Sequence, residues 1–171
     1  MKEMNLKEYF SKVRQGDKEA FAYIYHELKQ PVLTIAYRIV QSKEIAEDVT
    51  QDVFVKLFVS PPDPSVRNLR AWIFQMTRNA AIDALRKRQC EDIDSVVISD
   101  DKLDQHIIRW DVETAVKKLP CTEREILSLR INGELSFDEI SRIVGLSLPA
   151  VYRRYRKAIS TLRERLGGGA I

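Results

Sequence analysis

The chain has 171 residues, enough for one ordinary domain or two small ones, with 44% hydrophobic and 31% charged side chains. That balance suits a soluble globular protein and argues against a disordered chain, and no run approaches the roughly 18 apolar residues of a membrane span. The formal net charge is +3 and the pI about 8.8, weak evidence for a nucleic-acid partner by itself.

The distribution of charge says more than its sum. Residues 1–58 carry nine acidic and nine basic side chains. Residues 67–88 carry six basic ones (Arg67, Arg70, Arg78, Arg86, Lys87, Arg88) against Asp83 alone. Residues 91–104 reverse the sign, with Glu91, Asp92, Asp94, Asp100, Asp101 and Asp104 against Lys102. Residues 148–166 are basic again: Arg153, Arg154, Arg156, Lys157, Arg163 and Arg165 against Glu164. Two basic segments joined by an acidic one suggest two separate contacts with a polyanion.

In chain order the pattern is helical nearly throughout. Asn5 with Glu8 forms a capping-box pattern. Gly16-Asp17 breaks that helix, and Asp17 can cap the next, whose apolar residues Phe21, Ile24, Tyr25, Leu28, Val32, Ile35, Ala36 and Ile39 keep helical spacing. Pro31 falls inside this pattern and is expected to kink or split it. Ser42 can cap a third helix to about Phe58, and Ser60-Pro61-Pro62-Asp63-Pro64 must be a loop. A fourth helix runs from near Asn68 to about Arg88 on a stripe of Leu69, Trp72, Ile73, Met76, Ala80 and Ala84. The acidic segment 89–105 lacks periodicity and reads as a linker. Helices resume near His106, and Leu119-Pro120 ends the first of them. Thr122 with Glu125, and Ser136 with Glu139, form two more capping boxes, and Ser147 followed by Pro149 marks a last helix start. The expected fold is all-α: a helical module at 1–88, a flexible acidic linker at 89–105 and a second small module at 106–171.

The second module has the outline of a helix-turn-helix. Ser136 to Val144 buries Phe137, Ile140 and Val144, and Gly145-Leu146-Ser147 makes a tight turn with glycine where a left-handed residue is needed. On the following helix Val151, Tyr155, Ala158 and Leu162 form an inward stripe. Pro149, Tyr152, Arg153, Arg156 and Lys157 share another face, suited to guanine edges and phosphates. A charge run alone favours a solvated face. The short helix, the glycine turn and the capped start together favour DNA binding.

The residues then show a specific resemblance. Leu119-Pro120-Cys121-Thr122-Glu123-Arg124-Glu125-Ile126-Leu127-Ser128-Leu129, Leu135-Ser136-Phe137-Asp138-Glu139-Ile140, Gly145-Leu146-Ser147 and Val151-Tyr152-Arg153-Arg154 resemble the minus-35-binding module of extracytoplasmic-function sigma factors of the sigma-70 family. The family usually has Gly-Thr where this chain has Pro149-Ala150, and often alanine at Ser141.

The first module extends the resemblance. Ile45, Ala46, Val49, Val53 and Leu57 form a core stripe, and Asp48, Gln51, Asp52 and Val55 a mostly polar face that spacing alone reads as solvated. With Phe54, three of these resemble the family's Asp-x-x-Gln-(Asp/Glu)-x-Phe helix. That likeness implies docking of this face on the clamp of the largest subunit of core RNA polymerase, with the flap as a second polymerase contact. Residues 69–86 are similar to the family's minus-10-binding helix, with isoleucine and threonine at Ile73 and Thr77 for leucine and alanine. The resemblance implies that Asn68, Arg78, Asn79, Asp83, Arg86 and Arg88 serve the opened minus-10 element, with the loop from Pro61 to Asn68 holding a flipped base. It covers roughly residues 6–88 and 112–166.

It further implies a sigma factor with promoter DNA and core polymerase as partners, and an anti-sigma factor that can be membrane-bound. In the family the linker threads toward the RNA exit path, where an acidic segment would mimic nucleic acid; a plain tether is the simpler reading of the composition. The alternative function is a stand-alone helix-turn-helix regulator, usually dimeric, on a palindromic operator. An enzyme has little support: there is no Gly-rich phosphate loop, and the Glu47/Asp48 and Asp100/Asp101 pairs have no supporting histidine. No cofactor, metal or small-molecule substrate is expected. Cys90 and Cys121, 31 positions apart, cannot build a zinc spacing and read as reduced thiols, and His26 and His106 read as structural or surface residues. The N-terminus has no apolar signal core, so the cytoplasm is the expected location. Gly167 to Ile171 reads as a flexible end.

Overall fold

The computed structural model describes residues 6–91 and 107–167, all of its regular structure α-helical. Four helices form the first module: α1 (Leu6–Arg14), α2 (Lys18–Val40), α3 (Lys43–Val59) and α4 (Leu69–Glu91). Four form the second: α5 (Ile107–Lys117), α6 (Cys121–Ile131), α7 (Phe137–Val144) and α8 (Leu148–Gly167). Most of the 89–105 segment and the Asn5 half of the first capping box lie outside the described residues, and α4 runs on to Glu91.

Local chemistry sets the helix ends. The Asp17 carboxylate accepts the N–H groups of Glu19 and Ala20 at 2.9 and 3.0 Å and starts α2. Ser42 caps α3, and Asn68 Oδ1 accepts the Ala71 N–H at 3.0 Å in the first turn of α4. Ser136 and Glu139 close a reciprocal capping box on α7, and Gly145 ends that helix at φ +70°. The Thr122–Glu125 box does not form. Pro120 occupies the N-cap, α6 begins one residue before Thr122, and no side chain caps it. The fixed φ of proline sets the entry, and Glu125 turns to another partner described below.

Pro31 does not split its helix: α2 runs from Lys18 to Val40 with the proline inside it. Helix α2 packs against α1, α3, α4 and α6 at once, and Ile24, Leu28, Val32, Ile35 and Ala36 on it are fully buried. Burying that much apolar surface outweighs the roughly 3 kcal/mol that an interior proline costs. Tyr25, expected in the core stripe, is 38% exposed and faces a groove instead.

The two modules share one core. Ile126, Leu129, Leu135 and Ile140 of the second belong to the same buried cluster as Ile35, Ile73 and Phe74 of the first. A Cβ on Gly133, in the turn after α6, would stand 3.2 Å from the Phe74 ring, so glycine permits the close approach there. The α5–α8 side keeps a smaller cluster of Val116, Leu119, Leu127 and Ala158.

Arg124 stands at the junction and is only 9% exposed. Its guanidinium donates to the carbonyls of Lys117 and Leu119 at 3.0 and 2.7 Å, and to the Arg38 carbonyl at 3.0 Å. It thereby gathers carbonyls from the C-terminal ends of α5 and α2, where a cation is favoured. Burial pulls its pKa below the usual arginine value, opposed by Cys121.

Two stability measurements follow from this packing. Leu28→Ala removes a side chain with no solvent exposure and is expected to cost about 2–5 kcal/mol in chemical denaturation. Pro31→Ala restores a backbone donor inside α2 and is expected to raise the midpoint, by up to about 3 kcal/mol. A lowered midpoint would mean that the proline ring packs better than the restored bond stabilises.

Candidate polymerase and nucleic-acid surfaces

Three surfaces carry the residues singled out in the sequence. The first is on α3. Asp48, Gln51, Asp52 and Val55 are all exposed on one side of the helix. Beside them a groove between α2 and α3 is lined by Phe21, Tyr25, Lys29, Gln51, Val55 and Phe58 among others. Its walls are aromatic: Phe21 meets Phe58 edge-on at 5.0 Å, Tyr25 meets Phe54 at 4.7 Å, and the Lys29 ammonium lies 5.3 Å from the Tyr25 ring centre. Val55, Phe58 and Val59 are 54%, 51% and 72% exposed. Apolar side chains left open beside a polar acidic face are the mark of a protein-binding surface. The sequence reading found the polar half and missed the groove. Its signal was present in Phe21/Tyr25 and Phe54/Phe58, two aromatic pairs at four-residue spacing on successive helices.

The second surface is on α4. Asn79, Asp83 and Arg86 are exposed, and Arg86 lies 3.9 Å from Asp83, a solvated pair of little energetic weight. Asn68 stands at the start of the helix, close in space to α7. Arg78 is half-buried, and so is Arg88 further along. The loop before α4 is pinned from behind, because Arg14 donates to the Pro62 carbonyl at 2.6 Å. Within it the Asp63 carboxylate accepts the Ser65 N–H at 2.8 Å, and the Ser65 bonds hold its pKa below the ordinary value.

The third surface is on α8. Pro149, Tyr152, Arg153, Arg156 and Lys157 are all exposed. The opposite side packs inward through Val151 and Ala158, fully buried, with Tyr155 and Leu162 partly so. Phe137 of α7 meets both Tyr152 and Tyr155, at 5.5 and 5.1 Å, which fixes the angle between the two helices of the turn. Lys157 lies 3.6 Å from the buried carboxylate of Glu123.

The second and third surfaces are not equally open. Glutamates from the second module reach α4. Arg78 Nε donates to Glu125, and Arg70 donates to Glu134 at 2.5 Å. The Asn68 amide donates to Glu139, the same carboxylate that closes the α7 capping box. Arg38 of α2 makes a two-pronged pair with Glu113 of α5, at 2.5 and 2.8 Å. Glu125 is 6% exposed. Burial pushes its pKa up, against the pull of Arg78. For Glu139, burial also pushes upward, but the Ser136 N–H and hydroxyl, Asn68 and Arg142 outweigh it and hold the pKa below the ordinary value. Arg70 and these glutamates were not read as partners in the sequence, since nothing local in a sequence pairs side chains some 47 to 71 positions apart.

The comparisons agree with this layout. The family description "Sigma-70 region 2" matches residues 24–90, and "Sigma-70, region 4" matches residues 115–164. The ECF RNA polymerase sigma factor RpoE of Cereibacter sphaeroides is 32% identical over 74% of this chain and 72% of its own length. The chain belongs to the extracytoplasmic-function group of the sigma-70 family. It is therefore a sigma factor, a protein that directs RNA polymerase to promoters, and the stand-alone regulator is not favoured. SigW of Bacillus subtilis, another such factor, is 25% identical over 96% of this chain and 98% of its own. Among solved structures, the sigma factor RpoE in complex with the anti-sigma factor NepR from Bartonella quintana shares the fold. The TM-score is 0.68 at 23% identity, over 88% of this chain and 98% of that one.

The raised pKa of Glu125 has a measurable consequence. A group whose folded-state pKa lies above its unfolded value stabilises the fold most below the unfolded pKa, and that contribution is lost as pH rises through the folded value. Glu125→Gln cannot titrate. The thermal midpoint of the variant minus that of the wild type is therefore expected to increase as pH is raised from about 4 to 7. A flat or falling difference would show that Arg78 outweighs burial at this site.

Proposed function

We propose that the three surfaces divide the work of a sigma factor among named residues. Asp48, Gln51, Asp52 and Val55, with the adjoining aromatic groove, dock on the clamp of the largest polymerase subunit. The observation that carries this assignment is the polar, acidic face of α3 beside the open groove formed by Phe21, Tyr25 and Phe58. An acidic rim steers a basic partner, and the apolar groove supplies affinity once water is expelled.

Asn68, Arg78, Asn79, Asp83, Arg86 and Arg88 hold the opened minus-10 strand. Melted DNA offers unstacked bases and free phosphates, and a helix with amides and guanidiniums on one side can take both. Pro149, Tyr152, Arg153, Arg156 and Lys157 meet duplex minus-35 DNA. Arginine pairs with guanine O6 and N7 or with phosphate, while Pro149 sets the first turn of the helix that enters the groove. The flap of polymerase is the second contact for this module. The modules so assigned are residues 1–88 and 106–171, joined by 89–105.

The protein performs no catalysis of its own: the residues above bind, orient and hold strands apart, and polymerase supplies the chemistry. It works in the cytoplasm, where polymerase and promoter are. An anti-sigma factor is a further partner, supported by the structural likeness to an RpoE solved with NepR, and the exposed groove of α2 and α3 is a surface such an inhibitor could cover.

Run-off transcription with core polymerase and a library of genomic fragments tests the reading. Wild type is expected to give discrete start sites. Asp52→Arg is expected to abolish them by loss of polymerase binding, with the fold intact by circular dichroism. Arg153→Ala should weaken initiation by about 1–3 kcal/mol, roughly 5- to 150-fold. Tight binding to duplex operators without polymerase, and no initiation with it, would instead identify a stand-alone regulator.

A further inference from the structure

The segment between α3 and α4, residues 60–68, is short of backbone donors. Pro61, Pro62 and Pro64 have no N–H to give, so the loop can make few bonds of its own and its carbonyls need donors from elsewhere. Pro62 is buried, and its carbonyl is answered from another helix. The Arg14 guanidinium donates to it at 2.6 Å, across 48 positions of sequence. Further along, the loop closes on itself. The Asp63 carboxylate accepts the Ser65 N–H at 2.8 Å, and the Asp63 carbonyl accepts the Val66 N–H at 3.1 Å. Asp63, Pro64, Ser65, Arg67 and Asn68 are exposed, so the loop is held from its inner side and open on its outer one.

The anchor is itself fixed. Arg14 is the last residue of α1, a helix whose buried Phe10 and Val13 belong to the core of the first module. Beyond Arg14 the chain turns at once. The Gly16 N–H donates to the Val13 carbonyl at 2.9 Å and the Asp17 N–H to the Lys12 carbonyl at 3.1 Å, with Gly16 at φ +87°. The end of α1 is therefore not free to follow the loop, and the bond places Pro62 relative to the core. Arg14 is exposed and fills no part of that core, so what its bond fixes is the loop.

We propose that Arg14 is a positioning residue for capture of the opened strand: through the Pro62 carbonyl it holds the loop in the shape that receives a flipped base. This rests on the minus-10 assignment of the loop and α4. A loop with three prolines has little conformational freedom left, and one bond from outside fixes much of the remainder. A base then enters a pocket already formed, and little ordering is left to the moment of binding. Arg14 acts through the loop and does not touch DNA. Helix α1, which carries none of the residues assigned to DNA or polymerase, thereby takes part in holding the promoter open.

The test uses holoenzyme assembled from core polymerase and the full chain. The probe is a fluorescein-labelled promoter fragment recovered by run-off transcription and pre-melted by mismatches across its minus-10 element. Affinity is measured on the intact fragment and on copies with a single abasic site stepped through the non-template strand. Arg14→Met keeps an alkyl stem and removes the donors, Arg14→Lys keeps a cationic donor, and Lys12→Met takes the same charge from another exposed position of α1. In wild type and Lys12→Met, the abasic site at the flipped position is expected to weaken binding about tenfold. Arg14→Met is expected to bind the intact fragment about tenfold more weakly and to lose most of that abasic penalty, with its salt dependence unchanged. Arg14→Lys is expected to recover part of both. An abasic penalty as large in Arg14→Met as in wild type overturns the proposal. So does a salt slope that falls by about 0.7, the mark of one lost phosphate contact to a single strand, because Arg14 would then hold DNA directly. Absence of any abasic penalty in wild type would remove the minus-10 assignment of the loop, and the proposal with it, a failure distinct from the first two. Should Arg14→Met lose helical circular dichroism, Arg14→Gln, polar but shorter, makes the same comparison.

Discussion

The guanidinium of Arg124 is the point on which the rest of the arrangement depends. Helix C-termini leave carbonyls without intrahelical donors, and burying such an end without a partner is costly. Here α5 ends against α6 close to the end of α2, and Arg124 donates to Lys117, Leu119 and Arg38 at once. One buried cation thus answers two helix termini from two modules. With those ends satisfied, α6 can lie along α2, which sets Leu129 and Ile126 into the first module's core. The turn after α6 then meets Phe74, and the glutamates of α6, α7 and the turn between them fall opposite α4. The junction is polar at its hub and at its rim, with apolar packing between.

Much of this fold was legible in the sequence because it is decided locally. Asp17, Ser42, the Ser136–Glu139 box and Gly145 each act within a few residues, and each marks a helix end in the structure. The exposed faces of α3 and α8 were legible for a similar reason, since a helix's period fixes which residues share a side. The failures have a common cause in longer-range packing. Pro31 was read by a local rule that allowed a split, but α2 packs against four neighbouring helices and stays one helix. Thr122 and Glu125 match a local motif, but Pro120 sets the start of α6 and Arg78, 47 residues away, claims the carboxylate. Tyr25 sits on the apolar stripe, yet it lines a surface groove with Phe54 rather than filling the interior.

The same contrast separates the site residues. Those proposed for polymerase docking on α3 and for duplex reading on α8 came from spacing and resemblance, and they are exposed. Those of α4 came from the same kind of reasoning, yet Asn68 and Arg78 are engaged by carboxylates of the other module. A sequence motif names the groups that can hold a strand. It carries no information on whether another part of the chain is already holding them, because that depends on pairings across two modules.

The pairs at the junction differ in their contact with water. Glu134 is 70% exposed and Glu113 37%, whereas Glu125 is 7% exposed at its side chain. Mobile ions screen charges in water within about 8 Å at physiological ionic strength and reach buried ones far less. Added salt therefore erodes this junction from its edge inward: the Arg70 and Arg38 pairs slacken first, while the Arg78 pair keeps its strength until water enters. The ionic composition of the cell interior becomes a parameter of how tightly the two halves of the molecule hold together.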